Sequence, residues 1–397
     1  MLRLRLVLCL SLILGPQLVF AQLKQVGNYS FLNIESNRIA YYGNSSLGFE
    51  RIYKKFSPLI KTGKGQVRIL HIGDSHLQAD FFSGRVRANF QSILPGLQGA
   101  RGVICPYMKG CPDSYKITYG TQWQHYNILS KEQSTIFANT VYTTEKNASI
   151  RIAVNHRNPI KYDFDKVRIY HSPLKPQERI DIDYPSYKKI AVEDGYTVFF
   201  LNGYTDTINI SVNKTSNDTL FIHGFYFDNE DAGVVYNVTG VNSAEARHYL
   251  KIKSDESLKT FGLDLVIISL GTNDCYEASG VESFASNLTE LVAKIREQIP
   301  DVAILLTTPS DCWYKRKYVN KRMKEARNII KEVAKQNNCA VWDWYEVMGG
   351  EGASSKWVDR QLMQKDRVHL TLNGYYLQGD LLFNALWSEI EKKIFVQ

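Results

Sequence analysis

Four short stretches constrain the fold most. Val67, Ile69, Leu70 and Ile72, then Leu263 to Leu270, Val302 to Leu306 and Ala340 to Trp342, are apolar at successive positions rather than at alternating ones. A strand with one wet face alternates, so a strand that is apolar at both parities is covered on both faces. Helical patterns separate these runs. Phe284, Leu288, Leu291, Val292, Ile295 and Ile299 share one helical face; Met323, Ala326, Ile330 and Val333 share another; Leu377, Leu381, Leu382, Ala385 and Leu386 mark a last one. A further helix is expected from about His76 to Phe90, and a further strand beginning near Val234. Apolar strands alternating with amphipathic helices specify an α/β class with a parallel sheet between helical layers, and sites in such sheets gather at the C-terminal strand edge.

Residues 107–231 are a different material. Ile150 to Val154, Lys166 to Tyr170, Tyr196 to Leu201, Thr207 to Val212 and Leu220 to Phe227 are short β-branched and aromatic runs between Asn, Asp, Gly, Ser and Pro turns. Regularly spaced short strands without helical periods argue for a β-sandwich. A chain of 397 residues also exceeds the usual single domain of about 100 to 200 residues. The expected organisation is a leader at 1–21, a first α/β part at 22–106, an inserted sandwich at 107–231 and a second α/β part at 232–397.

The leader reads as a secretory signal peptide: Arg3 and Arg5 precede an apolar stretch from Leu6 to Phe20, and Ala21 closes a small-residue cleavage site before Gln22. No other run is long and apolar enough for a membrane span. An exported protein, periplasmic or at the cell surface, is expected. A net charge of +8 spread along the chain, with no arginine-rich arm, recognition helix or zinc-ligand spacing, makes nucleic acid an unsuitable partner. Export permits disulfides. Cys105 with Cys111 would close a short loop, Cys275 and Cys312 each follow a strand end and are candidates to pair, and Cys339 reads as a buried free thiol.

Gly73-Asp74-Ser75-His76 directly follows the first apolar run. A serine where a buried strand stops sits at the sheet rim with its hydroxyl exposed and its N–H free at a helix start, although Gly-Asp-Ser is also ordinary turn chemistry. Two downstream clusters add weight: Gly271-Thr272-Asn273-Asp274 after another apolar strand, and Asp366-Arg367-Val368-His369. Acyl transfer through serine needs a base, a group to orient it, and donors for the oxyanion. His369 is the candidate base and Asp366, three residues earlier on one turn, the orienting carboxylate. The Asn273 side chain and the Ser75 N–H are candidate oxyanion donors. His71 and His76 are assigned structural or site-shaping roles. Gly96, Gly99 and Gly102 read as a turn near the site, since no Lys-Ser/Thr follows to make a phosphate loop.

These blocks resemble those of the SGNH (GDSL-like) hydrolase family. The resemblance implies a flavodoxin-like three-layer fold with a parallel sheet, a Ser75–His369–Asp366 triad and no cofactor or metal. The family's glycine block maps onto Val234 to Ala244, where Ser243 stands at the expected oxyanion glycine; its backbone N–H remains usable, or Gly240 is the donor. More narrowly, His71 to Asp80, Gly99-Ala100-Arg101-Gly102 and Asp366 to His369 with Gly374-Tyr375 resemble bacterial cell-surface SGNH esterases with an inserted carbohydrate-binding-module-like sandwich, among them peptidoglycan O-acetylesterases. The resemblance implies an esterase that removes O-acetyl or similar small acyl groups from a polysaccharide or peptidoglycan. An O-acyltransferase with the same triad and a non-catalytic glycan-binding surface protein are the alternatives, the second favoured only by Ser243.

Overall fold

The structure, a computed structural model, describes residues 23–94, 96–107, 114–132, 134–155, 160–192, 195–252 and 256–395. The expected leader and Cys111 lie outside the described residues. Six strands form the central sheet: β1 (Ile39–Tyr41), β2 (Gln66–Gly73), β3 (Gly233–Gly240), β4 (Leu265–Ser269), β5 (Ala303–Thr307) and β6 (Ala340–Trp342), in spatial order β1-β6-β5-β4-β2-β3. All neighbours are parallel except β1, which runs antiparallel to β6 at the edge. Without β1, the five parallel strands stand in the order second, first, third, fourth, fifth, the flavodoxin-like order whose switch point lies between the first and third. Here that crevice opens between β2 and β4.

Both faces of the sheet are covered. Val67 and Ile69 of β2 and Leu265 and Ile267 of β4 point into one apolar cluster with helices α1 (Ser45–Thr62), α3 (Phe81–Gln91) and α6 (Leu372–Phe395). Leu70 and Ile72, with Val266 and Ile268, point the other way, against α4 (Ala278–Gln298) and α5 (Arg322–Gln336). Odd and even residues each find an apolar layer, which is why these strands lack alternation. Burying such a side chain is worth about 1.5–3 kcal/mol. The expected helical faces are buried, Phe284, Leu288, Leu291, Val292 and Ile295 among them, except that Ile299 lies just past the end of α4 and is half-buried. Among the described residues no helix is long and apolar enough to cross a membrane.

The crossover from β2 to β3 carries two antiparallel sheets. A seven-stranded sheet runs in the order Tyr187–Val192, Tyr196–Thr205, Phe164–His171, Leu220–Asp228, Asn139–Thr143, Gln124–Asn127, with Gly102–Ile104 also pairing Leu220–Asp228. A four-stranded sheet comprises Lys116–Tyr119, Asn147–Ala153, Thr207–Asn213 and Arg179–Ile182. The two enclose a core of their own, in which Ile208 and Ile210 sit opposite Ile152 and Ile150 in register. The sandwich packs on the α/β layers through Phe261, whose ring stacks on Tyr226 at 4.8 Å and meets Phe137 edge-on at 5.8 Å.

Three expectations need correction. The helix read from His76 to Phe90 is broken into α2 (Ser75–Gln78) and α3, because Asp80 takes a left-handed φ of +57°. Its buried carboxylate accepts from Ser83 (2.7 Å) and Arg87 and lies 3.6 Å from Arg101 of a separate loop. Of the Gly96–Gly102 segment only Gly96 sits in a turn while Gly102 begins a strand, and the segment does not start near the strand end that carries Ser75: Gly99 lies against the backbone of Val234, at the opposite end of β3 from Gly240. Gly102 (φ +73°) leaves no room for a Cβ, which would fall 2.0 Å from Asn237 Oδ1, the acceptor of the Val103 N–H. Finally, Cys275 and Cys312 do not pair, and Cys105 is likewise a free thiol. Burial pushes Cys275 and Cys105 up to about 12 and Cys312 up as well, so these thiols sit protonated in apolar surroundings. Cys339 is buried and free, as expected.

Candidate active site

β2 ends at Gly73, and the chain turns at Asp74 into α2, whose first residue is Ser75. The turn is tight because Leu77 tucks beneath the strand ends. A Cβ on Gly73 would fall 2.6 Å from Leu77 Cδ1, and one on Gly240 would fall 2.7 Å from Leu77 Cβ and 3.0 Å from Asp74 O. Gly240 is buried at the end of β3, so its small size serves this close approach.

Ser75 Oγ lies 2.9 Å from His369 Nε2, and His369 Nδ1 lies 2.7 Å from Asp366 Oδ2. Asp366 and His369 share a turn closed by the Met363–Leu370 bridge and held by the Gln364 N–H donating to His369 O. Within it, Asp366 Oδ1 accepts the N–H groups of Val368 (2.9 Å) and His369 (3.0 Å), leaving Oδ2 for the imidazole. Burial alone would raise the Asp366 carboxyl, but the bonds from the His369 ring and the two N–H groups outweigh it and hold it at about 2. The same contact raises His369 against the opposing effect of burial. An ionised carboxylate therefore fixes Nδ1 as donor and leaves Nε2 as acceptor toward Ser75.

His71 is buried, between Tyr236 OH (2.8 Å) and Ser269 Oγ (2.6 Å), and burial pushes it down to about 3. His76 bonds Tyr375 OH at 3.0 Å, and its ring centroid stands 5.4 Å from that of His369. Burial, then repulsion from His369, pushes it down to about 3 as well, so it is a neutral wall beside the imidazole.

The oxyanion candidates converge on the switch-point crevice through two loops. After β4, Asp274 clamps the Gly271–Asp274 turn by accepting the Gly271 N–H (3.0 Å), and clamps the loop after β3 by accepting the Ala246 N–H (2.7 Å). Burial raises its carboxyl to about 7. Asn273 Nδ2 donates to Ala244 O (3.0 Å) and to Asp74 Oδ2 (3.3 Å), so both amide hydrogens are engaged at rest. Asn242 N–H donates to Gln78 Oε1 and Ala244 N–H to Val241 O (3.0 Å), which leaves Ser243 exposed between fixed neighbours at φ +63°. That left-handed conformation is the one a glycine takes without penalty. Among the described residues, neither the Ser243 nor the Ser75 N–H has a partner in the protein.

Sequence reasoning missed the clamps. Asp74 and Asp274 were visible inside the two polar blocks, but their carboxylates serve backbone and amide donors rather than substrate. It also missed a two-stranded hairpin, Trp313–Tyr314 with Tyr318–Val319, tied to the His369 turn by the Trp313 N–H donating to Arg367 O at 2.9 Å. The interleaved cations and aromatics of residues 313–324 were the available signal.

No curated relative matches the chain. A solved structure of a peptidoglycan O-acetylesterase superposes with a TM-score of 0.72 at 21% identity, covering 89% of this chain and 99% of that one. A lipase/acylhydrolase from Enterococcus faecalis matches at 22% identity over 40% of this chain and 77% of its own, with a TM-score of 0.32. An acetyl xylan esterase matches at 23% identity over 39% and 81%, also with a TM-score of 0.32. Residues 221–377 match the sequence profile described as the GDSL-like Lipase/Acylhydrolase family, a segment that holds Asn273, Asp366 and His369 and begins after Ser75. Over this segment the chain is similar to GDSL-like lipases and acylhydrolases, and its fold is the one seen in the peptidoglycan O-acetylesterase structure.

Proposed function

We propose that the chain is an exported serine esterase that removes O-acetyl or similar small acyl groups from a glycan, with peptidoglycan the favoured substrate. The observation that carries this reading is the unbroken relay from Ser75 through His369 to Asp366, at 2.9 and 2.7 Å, at the mouth of the β2/β4 crevice. His369 Nε2 takes the Ser75 proton as Oγ attacks the acyl carbonyl carbon. The tetrahedral oxyanion is received by the N–H groups of Ser75 and Ser243, and by Asn273 Nδ2 if its longer bond to Asp74 yields. The bond from the acyl carbon to the sugar oxygen breaks, and His369 returns the proton to that oxygen. Water, deprotonated by His369, then attacks the acyl-serine carbonyl, the bond from the acyl carbon to Ser75 Oγ breaks, and His369 returns the proton to Oγ as the carboxylic acid leaves.

Peptidoglycan is favoured because the superposition on a peptidoglycan O-acetylesterase extends over 89% of the chain, sandwich included. Export rests on the leader pattern at 1–21. The left-handed φ of Ser243 supports a working glycine-like donor and speaks against a vestigial site. Ser75→Ala is expected to abolish hydrolysis of a chromogenic acetyl ester with an unchanged unfolding midpoint; a retained rate would refute the nucleophile. Acetate release from O-acetylated peptidoglycan compared with acetylated xylan tests the glycan.

A further inference from the structure

The hairpin Trp313–Val319 is tied to both loops that carry the candidate site. On one side, Trp313 N–H donates to Arg367 O at 2.9 Å, and the Arg367 guanidinium lies 3.7 Å over the Trp313 ring. On the other, Tyr276 OH accepts the Lys315 N–H at 2.8 Å and donates to Trp313 O at 3.4 Å, while Tyr276 N–H donates to Asn273 O. The hairpin therefore bridges the His369 turn and the Asn273 turn. Its tip is strained: Lys315 and Arg316 have φ of +47° and +61°, where residues other than glycine are disfavoured. Such backbone survives only where its surroundings over-determine it, and it is concentrated at functional sites.

Its chemistry is specific. Residues 313–324 contain six Lys and Arg and no Asp or Glu. Lys315 is matched by Glu277 at 3.2 Å, and Arg322 donates to Tyr276 O and faces the Tyr314 ring. Arg316 and Lys317 have no carboxylate partner among the described residues, and both are exposed. Beside them the rings of Tyr276, Tyr314 and Tyr318 succeed one another at 5.3 and 5.6 Å, and Tyr318 is 54% exposed. An exposed aromatic ring held by its half-buried neighbours, beside unpaired cations, suits a ligand that offers an apolar ring face and carries negative charge close by.

We propose that this hairpin is a subsite for the leaving sugar of an anionic glycan: Tyr318 stacks on the sugar ring while Arg316 and Lys317 pair with carboxylates carried by the same polymer. The inference rests on the esterase reading. In that reaction His369 hands its proton to the sugar oxygen, so the sugar departs on the His369 side, where Arg367 anchors the hairpin two residues away.

The test compares kcat/KM on three substrates: O-acetylated peptidoglycan, whose peptide stems carry carboxylates; acetylated xylan freed of uronic acids; and a small neutral chromogenic acetyl ester. For R316A/K317A the ratio of peptidoglycan to small-ester kcat/KM is expected to fall about ten-fold, through KM, while the ratio of xylan to small ester holds. Added salt should weaken peptidoglycan turnover in the parent and not in this variant. Tyr318→Ala should lower both glycan ratios. Unchanged ratios in both variants would overturn the subsite, and so would a parallel loss on all three substrates. No turnover of any of the three by the parent chain would instead refute the esterase reading, and the subsite with it.

Discussion

Asp366→Asn isolates the contribution of one carboxylate. In the native turn Oδ1 takes two backbone N–H groups and Oδ2 takes His369 Nδ1–H at 2.7 Å. The asparagine oxygen can keep the backbone pair, which then turns its amide NH₂ toward His369 Nδ1. Two donors cannot face each other, so the imidazole moves its proton to Nε2, 2.9 Å from Ser75 Oγ, and loses the lone pair that accepts the serine proton. An equivalent substitution in a serine-protease triad costs about 10⁴ in turnover, so kcat on a chromogenic acetyl ester should fall by about 10³ to 10⁴, or ~4–5.5 kcal/mol of transition-state stabilisation.

The pH profile supplies a second readout. His369 is raised chiefly by its bond to Asp366, and only the neutral imidazole acts as base, so activity is lost as pH falls through that raised value. Removing the carboxylate should move the acid limb of residual kcat/KM to lower pH. Stability changes with its own sign. A carboxyl held at about 2 rather than 3.8 contributes roughly 2.5 kcal/mol before solvent screening, and about 1 kcal/mol after it, since the side chain keeps 27% of its exposure. That contribution is fully present above the unfolded-state value near 3.8 and is lost as pH falls toward 2. The variant should thus be less stable by about 1 kcal/mol at pH 7, with the gap closing in acid. A fall in kcat of under ten-fold with an unmoved acid limb would refute the proposed relay.

Asp80→Asn leaves Arg87 and Arg101 buried without their carboxylate and should cost about 3–5 kcal/mol in denaturant unfolding; a loss below 1 kcal/mol would show that water replaces it. Gly240→Ala drives a methyl into Leu77 and the Asp74 carbonyl, so α2 must shift: about 1–3 kcal/mol of destabilisation is expected, with kcat/KM falling at least about ten-fold as Ser75 leaves the 2.9 Å contact with His369. Ser243→Gly relieves a left-handed φ but loosens the unfolded chain, for a net gain below about 1 kcal/mol. Turnover should persist, because the proposed role is a backbone N–H; a loss beyond ten-fold would assign the work to the hydroxyl.

Much of the fold was legible because its signals are local. Val67 to Ile72 and Leu265 to Ile268 carry apolar residues at both parities, and the structure places an apolar layer on each face. The five sandwich runs named from β-branched content coincide with strands, with only Val154 lying one residue past its strand's end. The edge strand β1 was not read: three residues, Ile39–Tyr41, carry too little pattern to stand out. The break at Asp80 was missed because an aspartate carries no local signal for a left-handed φ, and its partner Arg101 lies in another loop. The cysteine pairing failed for a related reason, since following a strand end does not determine which way a side chain points, and Cys275 and Cys312 both turn into the core.

By itself the sequence determined that Ser75 follows the end of a buried strand and that Asp366 and His369 share a turn, because a few residues and their dihedrals suffice to make that turn. It did not determine that this imidazole meets this hydroxyl, 294 residues away. Strand order decided that. Parallel pairing of β2 between β3 and β4 puts Ser75, Ser243 and Asn273 around one crevice, and the packing of α6 brings the preceding His369 turn to its mouth. The engagement of both Asn273 amide hydrogens and the hairpin that spans the two site loops are tertiary in the same sense. Local propensity chooses what each segment becomes, whereas which loops face one another is set by burying two sheet faces and a sandwich at once, a condition no single stretch of chain contains.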